Sequence, residues 1–249
     1  MGFLVAPNPF VLLFGILGNI ISLMVLLAPV PTFYRICKKK STEGFLSTPY
    51  VVTLFSASLW IYYSVLNTHA SLVLTINLVT CAIETGYIGI YLFYAPKKAR
   101  IVTLRWLLLL NVGAFSLVLL LTLFLAKGLI RIKVMGWICM VFTISVFAAP
   151  LSIMKLVVRT KSVEFMPFPL TFCLTLSAIA WFFYGFFLRD YFVALPNVIG
   201  FILGVLQIVL YAIFYRRSAT TMLEEKLPTH QVQMEEVHLE EGSLNSTCH

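Results

Sequence analysis

Charged residues are scarce in this sequence, and long apolar runs dominate it. Only 11% of the 249 residues are charged, whereas 60% are hydrophobic, and the mean hydropathy is +0.96. An ordinary soluble domain has an apolar share of about 45–50%, so this composition excludes that class. The sequence predicts a polytopic membrane protein.

Motifs of enzymes and metal sites are also missing from the sequence. The five cysteines are scattered, without a CxxC pair or the spacing of metal ligands. No Ser-His-Asp set, metal-ligand cluster or glycine-rich phosphate loop can be assembled from the other residues. We therefore predict that the protein is not an enzyme and has no catalytic residue, metal site or cofactor.

Seven apolar segments are long enough to cross a bilayer, whose hydrocarbon core of about 30 Å needs about 20 helical residues. They lie at 10–31, 46–66, 71–94, 104–126, 134–156, 167–188 and 192–215. The fold predicted is therefore an all-α membrane protein with seven transmembrane helices. No basic stretch precedes the first segment and no small-residue cleavage site follows it, so we expect it to remain as an anchor.

The basic residues predict how the chain is oriented. The net charge of +8 would suit a nucleic-acid partner, but these residues form short clusters between the apolar segments, which is typical of membrane topology. Fourteen lysines and arginines follow the odd-numbered segments, and four lie on the other side, Lys127, Arg131, Lys133 and Arg189. Because positive loops face the cytosol, we predict an extracellular N-terminus, a cytosolic C-terminus and no nucleic-acid partner.

The chain contains an internal duplication with an offset of 121 residues. The offset pairs residue types that are too rare in this chain to match by chance: Gly15 with Gly136, Pro29 with Pro150, Lys40 with Lys161, Glu43 with Glu164, Trp60 with Trp181 and Tyr63 with Tyr184. It superimposes segments one to three on segments five to seven and leaves segment four unpaired. With an odd helix between them, the two triplets run in the same direction as parallel repeats.

This repeat divides the chain into four parts. We expect a first triple-helix bundle at 8–96, a linker helix at 97–130, a second triple-helix bundle at 131–217 and a cytosolic tail at 218–249. The tail is polar and lacks apolar periodicity, so it cannot bury enough surface to offset its ordering entropy. We expect the tail to be disordered.

Four prolines occupy paired places in the two repeats. Pro29 and Pro150 fall inside helices one and five, and Pro49 and Pro167 fall near the cytosolic starts of helices two and six. A proline removes a backbone hydrogen bond and permits a kink. One such proline is common in membrane helices, but four in matched places indicate hinges and hence a protein that changes shape.

Two tryptophans lie near the middle of helices two and six, away from the interfaces where tryptophan usually anchors a helix. Helical spacing puts Ser56 and Tyr63 on the face of Trp60, and Ser177 and Tyr184 on the face of Trp181. Helices one and five present small side chains at matched spacing, Ser22 with Val25 and Thr143 with Val146. Interfacial anchoring is the alternative interpretation of the tryptophans.

Asn77 and Asn197 are matched at an offset of 120 residues, in helices three and seven. An amide in hydrocarbon costs several kcal/mol unless it is hydrogen-bonded, so each either cross-links helices or lines a wet cavity. Beside two tryptophans, the pair favours a ligand cage, in which flat apolar rings face the C–H side of a sugar and amides bind its hydroxyls.

Two acidic residues are candidates for a role in the membrane. Glu84 lies well inside helix three, where a carboxylate is by default a functional suspect, but it has no repeat counterpart and helix packing is the favoured alternative. Asp190, just outside helix six, could reach Tyr63 and close the outer mouth. The alternative for Asp190 is a solvated loop charge.

Over about residues 8–217, the chain resembles the plant SWEET sugar transporters, which consist of two MtN3/saliva repeats. The resemblance is carried by GILGN at 15–19, APVPTF at 28–33, KSTEGF at 40–45, TKSVEFMP at 160–167 and ALPNV at 194–198. It implies uniport of sugar down its gradient by alternating access, without ion coupling. Similarity is greatest to the sucrose-transporting clade, whose members usually lie in the plasma membrane.

The resemblance also implies roles for individual residues. It makes a sugar pocket of Trp60, Trp181, Asn77 and Asn197. It makes a cytosolic gate of the four prolines and an outer gate of Tyr63 with Asp190. It makes a size-selecting shell of Ser22, Val25, Ser56, Thr143, Val146 and Ser177.

The sequence leaves alternatives open for both the substrate and the class of function. The small side chains of the shell leave room for a disaccharide, so sucrose is favoured over a hexose. A seven-helix receptor shares the topology but predicts no duplication, and a proton-coupled carrier needs a carboxylate in the site, for which only Glu84 is available. We further expect a homo-oligomer surrounded by membrane lipid.

Overall fold

The computed structural model describes residues 8–163 and 166–215, and all regular structure in these two ranges is helical. Within these ranges, seven helices are long and apolar enough to cross a membrane, which confirms the all-α, seven-helix prediction. They are α1 (Pro9–Lys39), α2 (Thr48–Leu66), α3 (Ser71–Tyr94), α4 (Lys97–Leu125), α5 (Gly128–Thr160), α6 (Phe168–Leu188) and α7 (Tyr191–Tyr215). The prediction of a disordered tail at 218–249 falls outside the described residues.

Helices α1, α4 and α5 are longer than the apolar segments of the sequence. In α1, the part Val30–Lys39 continues past the predicted end at residue 31 and is amphipathic, with Phe33 and Ile36 buried and two lysines in its last turn. The predicted apolar segment ends at the first charged residues. The helix itself continues past them, because one of its faces still packs on the bundle. The lengths of these three helices were therefore underestimated.

Helices α1 and α5 are both interrupted. Regular α-helix ends at Leu27 in α1 and at Val146 in α5, and resumes at Val30 and Ala148. At each break one amide donates to the carbonyl three residues earlier, Ala28 to Val25 and Phe147 to Ile144, both at 3.1 Å. Both interruptions lie within three residues of Pro29 or Pro150, each of which withholds an N–H from the helix.

The other two prolines begin helices instead of interrupting them. Pro49 is the second residue of α2, and Pro167 immediately precedes α6. In each case the threonine four residues later donates to the proline carbonyl, from Thr53 at 2.9 Å and from Thr171 at 3.3 Å. A proline at a helix start is favourable because its φ angle is already helical and its missing N–H would be unpaired there.

The contacts between helices arrange the bundle around two triplets. Helix α3 packs against both α1 and α2. In the second half of the chain, α7 lies close to both α5 and α6, because Gly200 faces Phe147 and Ala178, and Gly204 faces Thr175. The triplets meet where α1 packs on α6 and α2 packs on α5, while α4 lies mainly along α2.

Small residues allow the two triplets to approach closely. A Cβ atom added to Gly18 of α1 would lie 2.9 Å from Cε2 of Trp181, and one added to Gly15 would lie 2.9 Å from the ring of Tyr184. Both distances are shorter than a carbon–carbon contact permits. These two glycines therefore seat α1 directly against the aromatic face of α6.

Arg131 of α5 caps the C-terminal end of α4. Its Nε donates to the carbonyls of Thr122 (3.1 Å) and Ala126 (3.0 Å), and its Nη2 donates to that of Leu123 (3.3 Å). A cation at this end of a helix satisfies free carbonyls and is favoured by the helix dipole. Arg131 is one of the four basic residues on the less positive side of the predicted topology, and its role there is to stabilise the end of α4.

Replacing Arg131 with methionine should destabilise the protein because three carbonyls each lose a hydrogen bond from the guanidinium. We expect the free energy of unfolding to fall by about 1–2 kcal/mol and the Tm by about 2–6 °C. Thermal unfolding of the purified protein in detergent measures this effect. Lys133→Met is the matched control, since Lys133 is exposed and bonds to none of the described residues; equal Tm values for the two variants would contradict the capping role.

Candidate functional site

A cavity of about 370 Å³ lies between the two triplets. Six of the seven helices contribute to its wall, and α4 does not. The lining residues are Ser22, Val25, Leu26, Thr53, Ser56, Ala57, Trp60, Val73, Ile76, Asn77, Thr80, Thr143, Leu174, Ser177, Trp181, Val193, Pro196 and Asn197.

Nine of the ten residues predicted for the sugar pocket line this cavity. The tenth, Val146, is 40% exposed and does not line it. Val146 is the last residue of the regular helix that also carries Thr143, and its place in the size-selecting shell stays a prediction.

The repeat would have found several lining residues that the sequence analysis missed. Val73 and Val193 share the 120-residue offset of the two asparagines, as do Ile76 and Pro196, and Thr53 and Leu174 share the 121-residue offset. All six line the cavity. Their residue types are common in membrane helices, so only their position relative to the matched tryptophans and asparagines distinguishes them.

Each tryptophan of the cavity is bonded to a hydroxyl of the opposite repeat. Nε1 of Trp181 donates to Oγ of Ser22 at 3.0 Å, and Nε1 of Trp60 donates to Oγ1 of Thr143 at 3.3 Å. The Ser22 hydroxyl also lies 3.2 Å from that of Ser177. These bonds fix the orientation of both indole rings and cross from one triplet to the other.

A tyrosine supports each tryptophan from its own helix. The rings of Trp60 and Tyr63 meet edge to face with centroids 5.5 Å apart, and those of Trp181 and Tyr184 do so at 5.3 Å. Both tyrosines are completely buried. Because the contacts are the same in both repeats, the two indoles have matching surroundings on opposite sides of the cavity.

The two asparagines are oriented by the same local contact. Nδ2 of Asn77 donates to the carbonyl of Val73, and Nδ2 of Asn197 donates to that of Val193, both at 2.7 Å. An amide has two N–H donors and a carbonyl oxygen with two lone pairs. Each side chain therefore keeps one N–H and its oxygen for a ligand.

One end of the cavity is closed by a hydrogen-bonded group at Asp190. The Tyr63 hydroxyl donates to Oδ2 of Asp190 at 2.6 Å, and Nδ2 of Asn67 donates to the same oxygen at 3.1 Å. Oδ1 accepts the backbone N–H groups of Phe192 (3.1 Å) and Val193 (3.4 Å), which caps the start of α7. Asp190 is 7% exposed, so it is not a solvated loop charge.

Asn67 was missed by the sequence analysis. It lies four residues after Tyr63, just past the end of α2, and also donates to the Tyr63 hydroxyl at 3.2 Å. The signal available was the i, i+4 spacing, which puts both side chains on one face. An asparagine without a repeat counterpart gave no other reason to select it.

Packing between the triplets is concentrated at the Asp190 end. The core cluster there contains buried residues from α2, α3, α5, α6 and α7, among them Leu59, Met135 and Tyr184. At the opposite end, the cluster of Phe33, Ile36, Tyr87, Tyr91 and Ala95 belongs to the first triplet alone. The cavity is therefore sealed at the Asp190 end and less tightly enclosed at the proline end.

Glu84 does not line the cavity. It lies one turn beyond the lining residue Thr80 on α3 and is 5% exposed. Its Oε2 has no hydrogen-bond partner among the described residues. This position favours the packing interpretation over a direct role in holding a ligand.

A cavity enclosed by two opposing helical triplets in a membrane, sealed at one end, defines a transporter. The chain belongs to the MtN3/saliva family, whose model is described as "Sugar efflux transporter for intercellular exchange" and matches residues 12–99 and 133–219. The two matches begin 121 residues apart, which is the offset of the internal repeat. The family resemblance stated from the sequence is confirmed.

Relatives and a solved structure agree with this assignment. The chain is 55% identical over 234 residues to the bidirectional sugar transporter SWEET15 of Oryza sativa subsp. indica, covering 90% of this chain and 73% of the relative. It is 51% identical over 238 residues to the bidirectional sugar transporter SWEET11 of Arabidopsis thaliana, covering 96% and 80%. A solved eukaryotic SWEET transporter is 37% identical, with a TM-score of 0.77 and coverage of 83% and 97%.

These findings also decide between the function classes. The family and its relatives are sugar transporters and not enzymes. They do not favour the seven-helix receptor.

Proposed function

We propose that this chain is a facilitative uniporter that moves sucrose, and also hexoses, in either direction down the sugar gradient. The observation that supports this most is the cavity wall, where each repeat contributes one tryptophan and one asparagine in matched positions. The volume of about 370 Å³ falls within the range of about 300–1,000 Å³ that is usual for small-molecule sites.

The wall suits a sugar because it combines flat apolar faces with amides and hydroxyls. Indole rings pack against the C–H faces of a sugar ring, and the free N–H and oxygen of Asn77 and Asn197 bind its hydroxyls. Ser22, Ser56 and Ser177 are small, so they leave room for the second ring of a disaccharide. We therefore keep sucrose as the favoured substrate, with a hexose-selective uniporter as the alternative.

Transport requires that the sealed end opens while the other end closes. We propose that Tyr63, Asn67 and Asp190 form the gate at the sealed end and that α1 and α5 bend at their interruptions beside Pro29 and Pro150. Pro49 and Pro167 fix the starts of α2 and α6 at the same end as these hinges. The Trp60–Thr143 and Trp181–Ser22 bonds cross the centre, where two halves that rock against each other move least.

The basic loops support an orientation for this cycle. We propose that the N-terminus and the Asp190 end are extracellular, that the proline end is cytosolic and that the protein resides in the plasma membrane as a homo-oligomer. The structure would then represent the inward-facing state. Protease protection of tags on the two termini tests the orientation, and chemical cross-linking in membranes tests the oligomer.

Uptake of radiolabelled sucrose and glucose, measured side by side in cells at acidic and neutral pH, tests the proposed substrate and mechanism. We expect sucrose uptake that a protonophore does not change. Uptake of glucose alone would establish the hexose alternative. Uptake that collapses with the protonophore would overturn the uniporter, because energy would then come from a proton gradient.

Replacing Tyr63 with phenylalanine should loosen the gate without removing the pocket. A hydrogen bond to a carboxylate contributes about 1.5–3 kcal/mol, and the remaining Asn67 contact offsets part of this loss. We expect the outward-open population to rise about fivefold to tenfold. The measurement is the rate at which a membrane-impermeant thiol reagent added outside labels Ser56→Cys, followed on the peptide that contains position 56.

Tyr62→Phe is the matched control for this experiment. Tyr62 immediately precedes Tyr63 in the sequence. Its hydroxyl lies 3.0 Å from Oγ1 of Thr122 in α4 and is hydrogen-bonded there instead of to Asp190. Its loss should leave the labelling rate unchanged. Equal labelling of the Tyr63 variant, the Tyr62 variant and the parent would contradict the gate.

A further inference from the structure

A shallow groove of about 310 Å³ runs along the outer face of α4, away from the transport cavity. Its walls are Val102, Arg105, Trp106 and Leu109. The spacing i, i+3, i+4, i+7 puts these side chains on one stripe of the helix. All four are exposed, so the groove faces the surroundings of the bundle.

Arg105 has no acidic partner in the part of the chain that the structure describes. The acidic residues there are Glu43, Glu84 and Asp190. Glu43 forms ion pairs with Arg35 and Lys39, Glu84 is buried in α3, and Asp190 is bonded to Tyr63. The guanidinium of Arg105 is therefore available to an anion from outside the described residues.

The depth of Arg105 along α4 indicates what that anion is. The 21 residues from Trp106 to Ala126 contain no charged side chain, and at about 1.5 Å per residue they span about 30 Å, the thickness of the hydrocarbon core. Arg105 thus lies at the edge of the hydrocarbon, at the level of the lipid phosphates. Trp106 occupies the interfacial position that tryptophan prefers.

The surroundings of Arg105 are cationic. Lys97 and Lys98 begin α4 on the same side of the membrane, and neither forms an ion pair with a described residue. Arg100 differs, because its Nη2 donates to the carbonyls of Phe93 and Ala95 at the end of α3. A second copy of the chain docked symmetrically on this stripe would bring two such cationic ends together, which disfavours it as the occupant.

We propose that this groove is a binding site for one anionic phospholipid. The guanidinium of Arg105 binds the phosphate, for which its planar fork of N–H donors is suited. An acyl chain lies along Val102, Trp106 and Leu109 into the hydrocarbon. Lys97 and Lys98 add attraction for an anionic over a zwitterionic headgroup.

Native mass spectrometry of the full-length protein in detergent tests this site. The probes are dioleoylphosphatidylglycerol, dioleoylphosphatidylcholine and soluble glycerol phosphate, each added at rising concentration. The variants are Arg105→Gln and, as the matched control, Lys133→Gln, which removes one exposed cation at the opposite end of the bundle. The same spectra report the number of bound lipids and the number of chains.

We expect one phosphatidylglycerol to bind more tightly than phosphatidylcholine and glycerol phosphate not to bind. Because a hydrogen bond to a charged group contributes strongly, Arg105→Gln should weaken the phosphatidylglycerol affinity about tenfold, and Lys133→Gln should leave it unchanged. Equal affinity for the two lipids, or equal affinity of the two variants, would overturn the proposal. The proposal would also be overturned if Arg105→Gln reduced the number of protein chains in the complex and left the number of bound lipids unchanged. The occupant of the groove would then be a second copy of the protein.

The remaining acidic side chains of the sequence are Glu164 and the six glutamates of the C-terminal tail. A full-length variant with all seven changed to glutamine separates these occupants from the lipid. We expect its phosphatidylglycerol affinity to equal that of the parent. Phosphatidylglycerol binding that appears only in this variant would show that one of these glutamates occupies Arg105 and would overturn the lipid site.

Discussion

Uptake of sugar should be lost when Trp181 is replaced with alanine. The substitution removes the indole face from the cavity wall, the N–H donor to Ser22 and the ring that packs on Gly18. A tryptophan ring supplies a large contact area in a binding site, so we expect uptake to fall more than about tenfold. Trp60→Ala should give the same result, because Trp60 has the matching position and a matching bond to Thr143.

Trp137→Ala is the matched control for the loss of an indole. Trp137 is 56% exposed and does not line the cavity. Surface biotinylation should show all three variants in the membrane at parental amounts. Normal uptake by both Trp60→Ala and Trp181→Ala would exclude the proposed pocket.

A second pair of variants separates the ring of Trp181 from its N–H group. Trp181→Phe keeps an aromatic face but cannot donate to Ser22, and Ser22→Ala removes the acceptor. If the bond between them positions the ring, the double variant should be no worse than either single one. Additive losses would mean that the two side chains act on the sugar independently.

Replacing Asn77 or Asn197 with alanine should raise the KM for sugar without lowering the stability of the protein. The contact given for each side chain is with the carbonyl one turn earlier in its own helix, so its loss separates no helices. Each lost hydrogen bond to a sugar hydroxyl contributes about 1 kcal/mol. With two such bonds for each amide, we expect KM to rise about tenfold or more.

Asn19→Ala is the control that distinguishes a ligand-binding amide from one that joins helices. Nδ2 of Asn19 donates to the carbonyls of Gly15 (2.8 Å) and Leu72 (3.0 Å), and its oxygen accepts a bond from Thr75 (3.0 Å). This side chain links α1 to α3. Its replacement should lower the Tm and leave KM nearly unchanged; the same pattern in the Asn77 and Asn197 variants would contradict their assignment to the pocket.

Much of the site could be predicted because the duplication repeats its rare residues. A tryptophan in each half at the offset of Pro29 and Pro150, and an asparagine in each half at an offset one residue shorter, indicate where the two halves face each other. Common residues such as Val73 and Ile76 carry no such signal by themselves, although they line the same cavity. Their positions follow only after the repeat is extended from the rare residues to their neighbours.

The member of the Asp190 group that the sequence did not reveal lies in irregular backbone. Asn67 was missed because it lies where α2 has already ended. Hydropathy and spacing describe regular helices well, whereas the contacts at their ends and breaks depend on tertiary structure.

The full set of contacts at Asp190 could not be predicted from the sequence for a similar reason. Its carboxylate could be expected to meet Tyr63, but its second oxygen caps α7. A single residue thus connects Tyr63 to the start of the helix that carries Asn197. The sequence shows no repeat counterpart for this arrangement, since His69 or Ala70 stands at the corresponding position.

Sucrose flux in proteoliposomes that contain only the purified protein tests the central claim most directly. Influx and efflux are measured without any ion gradient, and influx is then repeated with an imposed pH gradient, for the parent and for the Trp60→Ala, Trp181→Ala double variant. We predict flux in both directions that stops when the two concentrations are equal, no accumulation with the pH gradient and no flux in the double variant. Accumulation above the outside concentration, or unchanged flux in the double variant, would contradict a uniporter whose substrate passes through this cavity.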